Sequence, residues 1–219
     1  MHGIDRARRE QELLRLVGKD STPAERDRLI VVGTQVIEQS LDLDFDLLAT
    51  DLCPMDLLLQ RIGRLHRHEP RARPEKLRTP RCLVLEAEGE TYEPGAQAIY
   101  GAWLLGRTRR FLPDAIALPG DIPRLVQRVY REPEIGALSA QEYADWTEFE
   151  QAKADAKSKA NSYLLDAPKY SAKRQVTIDR MLNVTQGGSE QSAQASVRGG
   201  DSALEVLVLQ QDEDGDLYL

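Results

Sequence analysis

The sequence predicts an α/β fold, part of a parallel sheet with flanking helices, followed by a helical region and the start of a small β-containing segment. Three observations carry that prediction. RLIVVGT, Arg28 to Thr34, is a short apolar run rich in β-branched residues, the composition of a strand covered on both faces. A second apolar stretch runs from Asp46 to Leu52, and a third, RCLVLEA, from Arg81 to Ala87. Helical patterns fall between these runs, and strands alternating with helices build a parallel sheet. About half of a usual nucleotide-binding sheet is accounted for in this way, and nothing resembles its beginning.

Periodicity and punctuation justify each element in turn. Residues 4–18 read as a helix, with Leu13, Leu14 and Val17 as an apolar stripe and Gly18 as its stop. Thr34 ends the first strand and opens a short helix. A longer helix is expected from about Pro54 to His68, ended by Pro70. Beyond Glu88, Ala96 to Phe111 and Asp121 to Glu132 read as helices on either side of a turn punctuated by Pro and Gly. A polar helix follows from about Ala140 to Tyr163. Residues 186–200, QGGSEQSAQASVRGG, are poor in apolar side chains and read as a flexible linker. LEVLVLQ, Leu204 to Gln210, reads as a strand and DEDGD at 212–216 as a hairpin turn. A lone hairpin is barely stable, so the last domain is expected to be cut short. The expected division is a sheet-bearing domain over 1–90, a helical region over 91–185, and a linker with the start of a C-terminal domain over 186–219.

Of the 219 residues, 41% are apolar and 30% charged, enough for a packed core under a heavily charged surface. The 29 Lys and Arg against 36 Asp and Glu leave a net charge of −7, which argues against a general nucleic-acid coat but not against local patches. Cys53 and Cys82 lack metal-type spacing and suit two reduced thiols. No apolar run approaches the roughly 20 residues of a membrane span, and MHGIDRARREQELL has no signal-peptide core. The expectation is a soluble, cytoplasmic protein with no membrane partner and no metal ligands of its own.

Two segments carry chemistry. QRIGRLHRH, Gln60 to His68, gathers three arginines around Gly63. On a continuous helix Gln60, Arg64 and Arg67 fall within an arc of about 60°, with Arg61 pointing elsewhere. Guanidinium is permanently charged and grips phosphate oxygens in a bidentate manner, so such a face suits polyphosphate. A solvated basic face paired to nearby glutamates is the alternative for an isolated cluster. Upstream, TQVIEQSLDLDFD puts Thr34 at the carboxyl end of a strand, where ligands bind in open α/β sheets and where a helix N-terminus offers free N–H groups. Asp42, Asp44 and Asp46 follow, suited to orienting arginines, touching a ribose, or merely capping turns.

TQVIEQSLDLDFD followed by QRIGRLHRH resembles motifs V and VI of superfamily 2 helicases, in the form similar to the CRISPR-associated helicase-nuclease of type I systems. YGAWLLGRTRRFL, LVQRVY and ASVRGGDSALEVLVL also resemble that family's C-terminal part, so the likeness runs along nearly the whole chain. It implies the second RecA-like domain, entered partway, then a linker and the start of the C-terminal domain. Arg64 and Arg67 would be finger arginines reaching ATP, and Gln60 would contact the phosphate side. Thr34 and Gln35 would meet single-stranded DNA, and Asp42 would couple that contact to the nucleotide, although the family's Gly-x-Asp reads Ser40-Leu41-Asp42 here. No Gly-Lys-Thr phosphate loop, acidic magnesium box or His-Asp nuclease cluster occurs; His2, His66 and His68 are the only histidines. The resemblance assigns ATP binding with Mg2+, the nuclease domain and the first RecA-like domain to a missing N-terminal half. It also implies an RNA-guided CRISPR surveillance complex as partner and a role in antiviral interference. The alternative is a non-catalytic nucleic-acid or protein-binding module from a truncated or split gene.

Basic residues elsewhere give weaker signals. From Arg61 to Arg81 there are eight Lys or Arg against two Glu, a surplus of 8 − 2 = +6 that suits phosphate. Arg124, Arg128 and Arg131 share a helical face, and RTRR occupies 107–110; each reads equally as DNA contact or as ordinary balanced charge. Trp103, Tyr130 and Trp146 are candidate stacking platforms, better read as core or interface residues.

Overall fold

The structure, a computed structural model, describes residues 3–33, 41–68, 71–89, 91–161, 210–211 and 217–218. Helix α1 (Gly3–Val17) stops where expected. A Cβ on Gly18 would lie 2.2 Å from the Leu14 carbonyl oxygen, so the chain turns at the one residue that fits there. The one-turn helix α2 (Pro23–Arg26) is held by a capping box, with Thr22 N–H donating to Glu25 Oε2 at 2.8 Å and Glu25 N–H to Thr22 Oγ1 at 3.4 Å.

The expected first strand, Arg28 to Thr34, is not formed over its described residues 28–33. Its apolar alternation survives without a ladder: Val31 packs on Val17, Leu41 and Leu43, while Ile30 is 85% and Val32 92% exposed. Composition favours extended backbone here, but a strand also needs a neighbour to pair with, and none lies beside it among the described residues. The other two runs do pair. Strands β1 (Leu48–Asp51) and β2 (Cys82–Leu85) are parallel, in register Leu48 with Cys82 through Asp51 with Leu85. Leu47, Leu83 and Leu85 remain exposed beside this two-stranded sheet.

Helix α3 (Met55–Ile62) connects β1 to the segment leading into β2, and its buried Met55 and Leu59 meet Leu125 and Val129 of α6 (Ile122–Tyr130). Helix α5 (Ala102–Phe111) adds Leu104 and Phe111 to the same core. Fully burying each such side chain contributes about 1.5–3 kcal/mol. The single helix expected from Ala96 to Phe111 is two, α4 (Pro94–Tyr100) and α5, broken at Gly101 with φ 76°. Gly101 adopts that left-handed geometry without strain and its N–H closes α4 on Gln97 O at 2.8 Å.

Helix α7 (Ala140–Asn161) matches the expected polar helix. The chain divides into two compact units, 1–149 and 150–219. The second holds the end of α7 and an antiparallel pair, β3 (Gln210–Gln211) with β4 (Leu217–Tyr218), in register Gln210 with Tyr218 and Gln211 with Leu217. The turn itself, the linker 186–200 and residues 204–209 of the expected strand lie outside the described residues. The fold class is α/β as predicted. No helix among the described residues is long and apolar enough to cross a membrane.

Candidate functional site

The arginine segment is not a helical face. Helix α3 ends at Ile62, and Gly63 caps it by donating to Leu59 O at 2.9 Å. The next two amides reach back only three residues, Arg64 to Arg61 O and Leu65 to Ile62 O, each at 2.9 Å. A neighbouring segment then captures the chain. Phe45 N–H donates to Arg64 O at 2.8 Å and His66 N–H to Phe45 O at 3.0 Å, a parallel bridge that competes with continued helix. His66 takes φ 49° where the chain leaves. Gln60 stays exposed on the last turn of α3, whereas Arg64 and Arg67 project from the loop that follows. The shared helical arc of these three residues is therefore corrected.

The acidic stretch explains the pinning. Residues 41–46 alternate: Leu41 and Leu43 are buried against Val17, and Asp42, Asp44 and Asp46 point to the arginines. Asp44 is 0% exposed. Its Oδ1 accepts from the Arg67 backbone N–H and from Arg73 Nη2, both at 2.9 Å. Its Oδ2 accepts from Arg73 Nη2 at 2.9 Å and stands 3.0 Å from Arg71 Nε. Asp46 takes Arg26 Nη2 at 3.0 Å and Arg73 Nη1. Arg71 also donates to the carbonyls of Gly18 at 3.0 Å and Lys19 at 2.6 Å. Removing water from a carboxylate costs several kcal/mol, and only a full set of charged donors offsets that cost. Burial, reinforced by neighbouring Arg26, pulls the Arg71 guanidinium below its usual value, opposed by Asp44.

Asp42 sits at the edge of this network, half exposed, with Arg67 Nε at 2.6 Å and His68 Nε2 at 3.1 Å. Arg67 Nη1 also donates to Gly63 O at 3.3 Å. Burial pulls the Arg64 guanidinium below its usual value and the charge of Arg67 adds to this, while Asp42 opposes both. Asp42, Arg64 and Arg67 are thus brought together. Arg61 points away, as the sequence indicated, and donates to Thr50 Oγ1 at 2.5 Å. Thr34 and Gln35 lie outside the described residues.

Arg26, Arg71, Arg73 and the hub role of Asp44 were not read from the sequence. The signal was present in the two-residue alternation of Leu41 to Asp46 and in the matching spacing of Arg71 and Arg73. Part of the basic surplus over 61–81 is thus spent inside the protein. The RTRR segment is similarly engaged. Arg107 closes the C-terminus of α6 on the carbonyls of Arg128, Val129 and Arg131 at 2.6, 3.0 and 3.1 Å. Arg109 pairs with Glu86 at 2.7 Å and Arg110 with Glu142 at 3.0 Å. Trp103 is a core residue, and Tyr130 donates to Asp56 at 2.6 Å.

Residues 1–70 match the family model for the C-terminal part of the CRISPR-associated nuclease/helicase Cas3. The chain is 40% identical to the CRISPR-associated nuclease/helicase Cas3 of Streptococcus thermophilus over 96% of its own length and 23% of that protein. It is 31% identical to the Escherichia coli endonuclease/helicase over 84% of its length and 21% of that protein. Among solved structures, T. fusca Cas3 with AMPPNP superposes with TM-score 0.70 at 26% identity, covering 98% of this chain and 24% of that one. A chain of a CRISPR RNA-guided surveillance complex in a pre-nicking state gives TM-score 0.63 at 32% identity, covering 75% of this chain and 21% of its own. The chain therefore spans less than a quarter of the length of these relatives, 23% and 21%.

Proposed function

From the premise that this chain belongs to the Cas3 family of CRISPR-associated helicase-nucleases, we propose that it supplies the arginine fingers of an ATP-driven motor acting on single-stranded DNA in CRISPR interference. The observation that carries this reading is the pinned loop. Arg64 and Arg67 flank a backbone bridge to Phe45, so two permanent cations are presented from a fixed base beside Asp42. Guanidiniums fit the charge that develops on a transferring phosphoryl group, and fixing them beforehand removes the cost of reorienting them. ATP, when bound, supplies the phosphoryl chemistry; Arg64 and Arg67 would meet its phosphates, with Gln60 nearby on α3. Arg67 would then exchange its contact with Asp42 for the phosphate. Thr34 and Gln35 are proposed to contact the DNA backbone.

Among the described residues no group of three His, Cys, Asp or Glu side chains is arranged to hold a metal ion. The phosphate loop and magnesium carboxylates are assigned to a first RecA-like domain, and the surveillance complex is proposed as the partner that delivers DNA. The proposed division remains 1–90 for the second RecA-like domain, 91–185 for the helical region and 186–219 for the linker and C-terminal start.

The test joins this chain to the N-terminal portion of the Streptococcus thermophilus relative. Arg64→Ala or Arg67→Ala is expected to lower ATP turnover by about 100-fold or more while nucleotide binding persists, because fingers act on transition-state charge. Arg→Lys at either position is expected to fail nearly as badly, since ammonium lacks the planar fork. Wild-type turnover in Arg64→Ala would remove the assignment.

A further inference from the structure

Building on the reading of Arg67 as a finger, we propose that Asp44 is a positioning residue for it, with Arg71 and Arg73 as the fixed counter-cations that hold Asp44 in place. Asp44 touches the Arg67 backbone and not its guanidinium: the contact is Arg67 N–H to Oδ1 at 2.9 Å. This anchors the finger at its root and leaves its tip to Asp42. The carboxylate cannot swing away, because both its oxygens accept from Arg73 Nη2 and Oδ2 also faces Arg71 Nε. Arg73 is itself 4% exposed and fixed by Asp46, which Arg26 holds from the other side. Arg26 Nη2 further donates to the Asp44 carbonyl at 2.6 Å. The loop is thus secured twice, by backbone at Phe45 and by side chain at Asp44. These contacts assign Arg71 and Arg73 to geometry and not to DNA.

Asp44→Asn discriminates sharply. Asn keeps Oδ1 for the Arg67 amide but turns a donor toward Arg71 Nε and Arg73 Nη2, so the anchor loses its own support. In the joined protein, Asp44→Asn should lower kcat about 10- to 100-fold, the scale of a small misplacement of a reacting group, with KM for ATP within about twofold. Added to Arg67→Ala, it should cost nothing further beyond about twofold, because the position that Asp44 sets acts through the Arg67 guanidinium, which the other change has already removed. In this chain alone, amide exchange should quicken at residues 64–68 and stay unchanged at Leu58 and Leu125. Arg73→Lys, which keeps the charge but loses the fork, should show the same selective pattern and decides the case if Asp44→Asn unfolds globally. Wild-type kcat in Asp44→Asn alongside a dead Arg67→Ala would overturn the positioning role and leave the finger intact. An undisturbed Arg67→Ala would instead overturn the finger reading itself. Full additivity of the two changes, or Arg73→Lys exchange unchanged at 64–68, would also overturn the proposal.

Discussion

At Asp42 opposing effects act on one carboxyl. Burial pushes it up, but the hydrogen bond from Arg67 and the charges of His68 and Arg67 outweigh this and hold it below its ordinary value. A depressed carboxyl contributes stability that is present above its unfolded-state pKa and lost as pH falls through the folded value, so the window lies below about pH 4. Because Asp42 and Arg67 are both substantially exposed, that contribution stays under about 1 kcal/mol. Carbon-detected NMR titration of Asp42 should place its midpoint higher in Arg67→Ala than in the wild type; an unmoved midpoint would contradict the pairing. Residue types and order offered Asp42, Asp44 and Asp46 alike as partners for the arginines, and only the family resemblance singled out Asp42 with Arg64 and Arg67. The geometry of that cluster was not legible, because a helix and a loop present the same residue list on different faces. The end of α3 is decided by Phe45, a partner 20 positions before Leu65 that no local pattern shows.

Among the elements, α3, α5 and α6 form the core that carries the site. Leu125 is fully buried against Met55 and Leu59, so Leu125→Ala should cost about 2–5 kcal/mol in urea denaturation, whereas exposed Ile135→Ala should stay within about 0.5 kcal/mol. Equal effects would mean that the core is placed wrongly. Helices α1, α6 and α7 were readable because their signals, an apolar stripe in the first two and helix-favouring polar residues in the third, are local. The strand over 28–33 was over-read for the same reason: Leu29, Ile30, Val31 and Val32 report a preference for extended backbone, while a ladder depends on a partner elsewhere. Gly101 shows the opposite failure, since a helical run conceals a break that only its φ of 76° reveals.

For the whole molecule, a parallel pair with Leu47, Leu83 and Leu85 exposed beside it presents apolar surface that sheets of this kind normally cover. Such a face, beside the pinned arginine loop, accords with the proposal that this chain contributes arginines to an ATP-driven motor. On the proposed reading, this chain gives arginines to an ATP site whose phosphate loop belongs to the first RecA-like domain. Steady-state ATP hydrolysis with single-stranded DNA tests it most directly, comparing this chain alone, the N-terminal portion of the Streptococcus thermophilus relative alone, and the two joined. Rates at the no-protein blank are expected for this chain, DNA-stimulated turnover for the joined protein, and loss of that turnover in Arg67→Ala. Hydrolysis by this chain alone, or full turnover by the joined protein carrying Arg67→Ala, would contradict it.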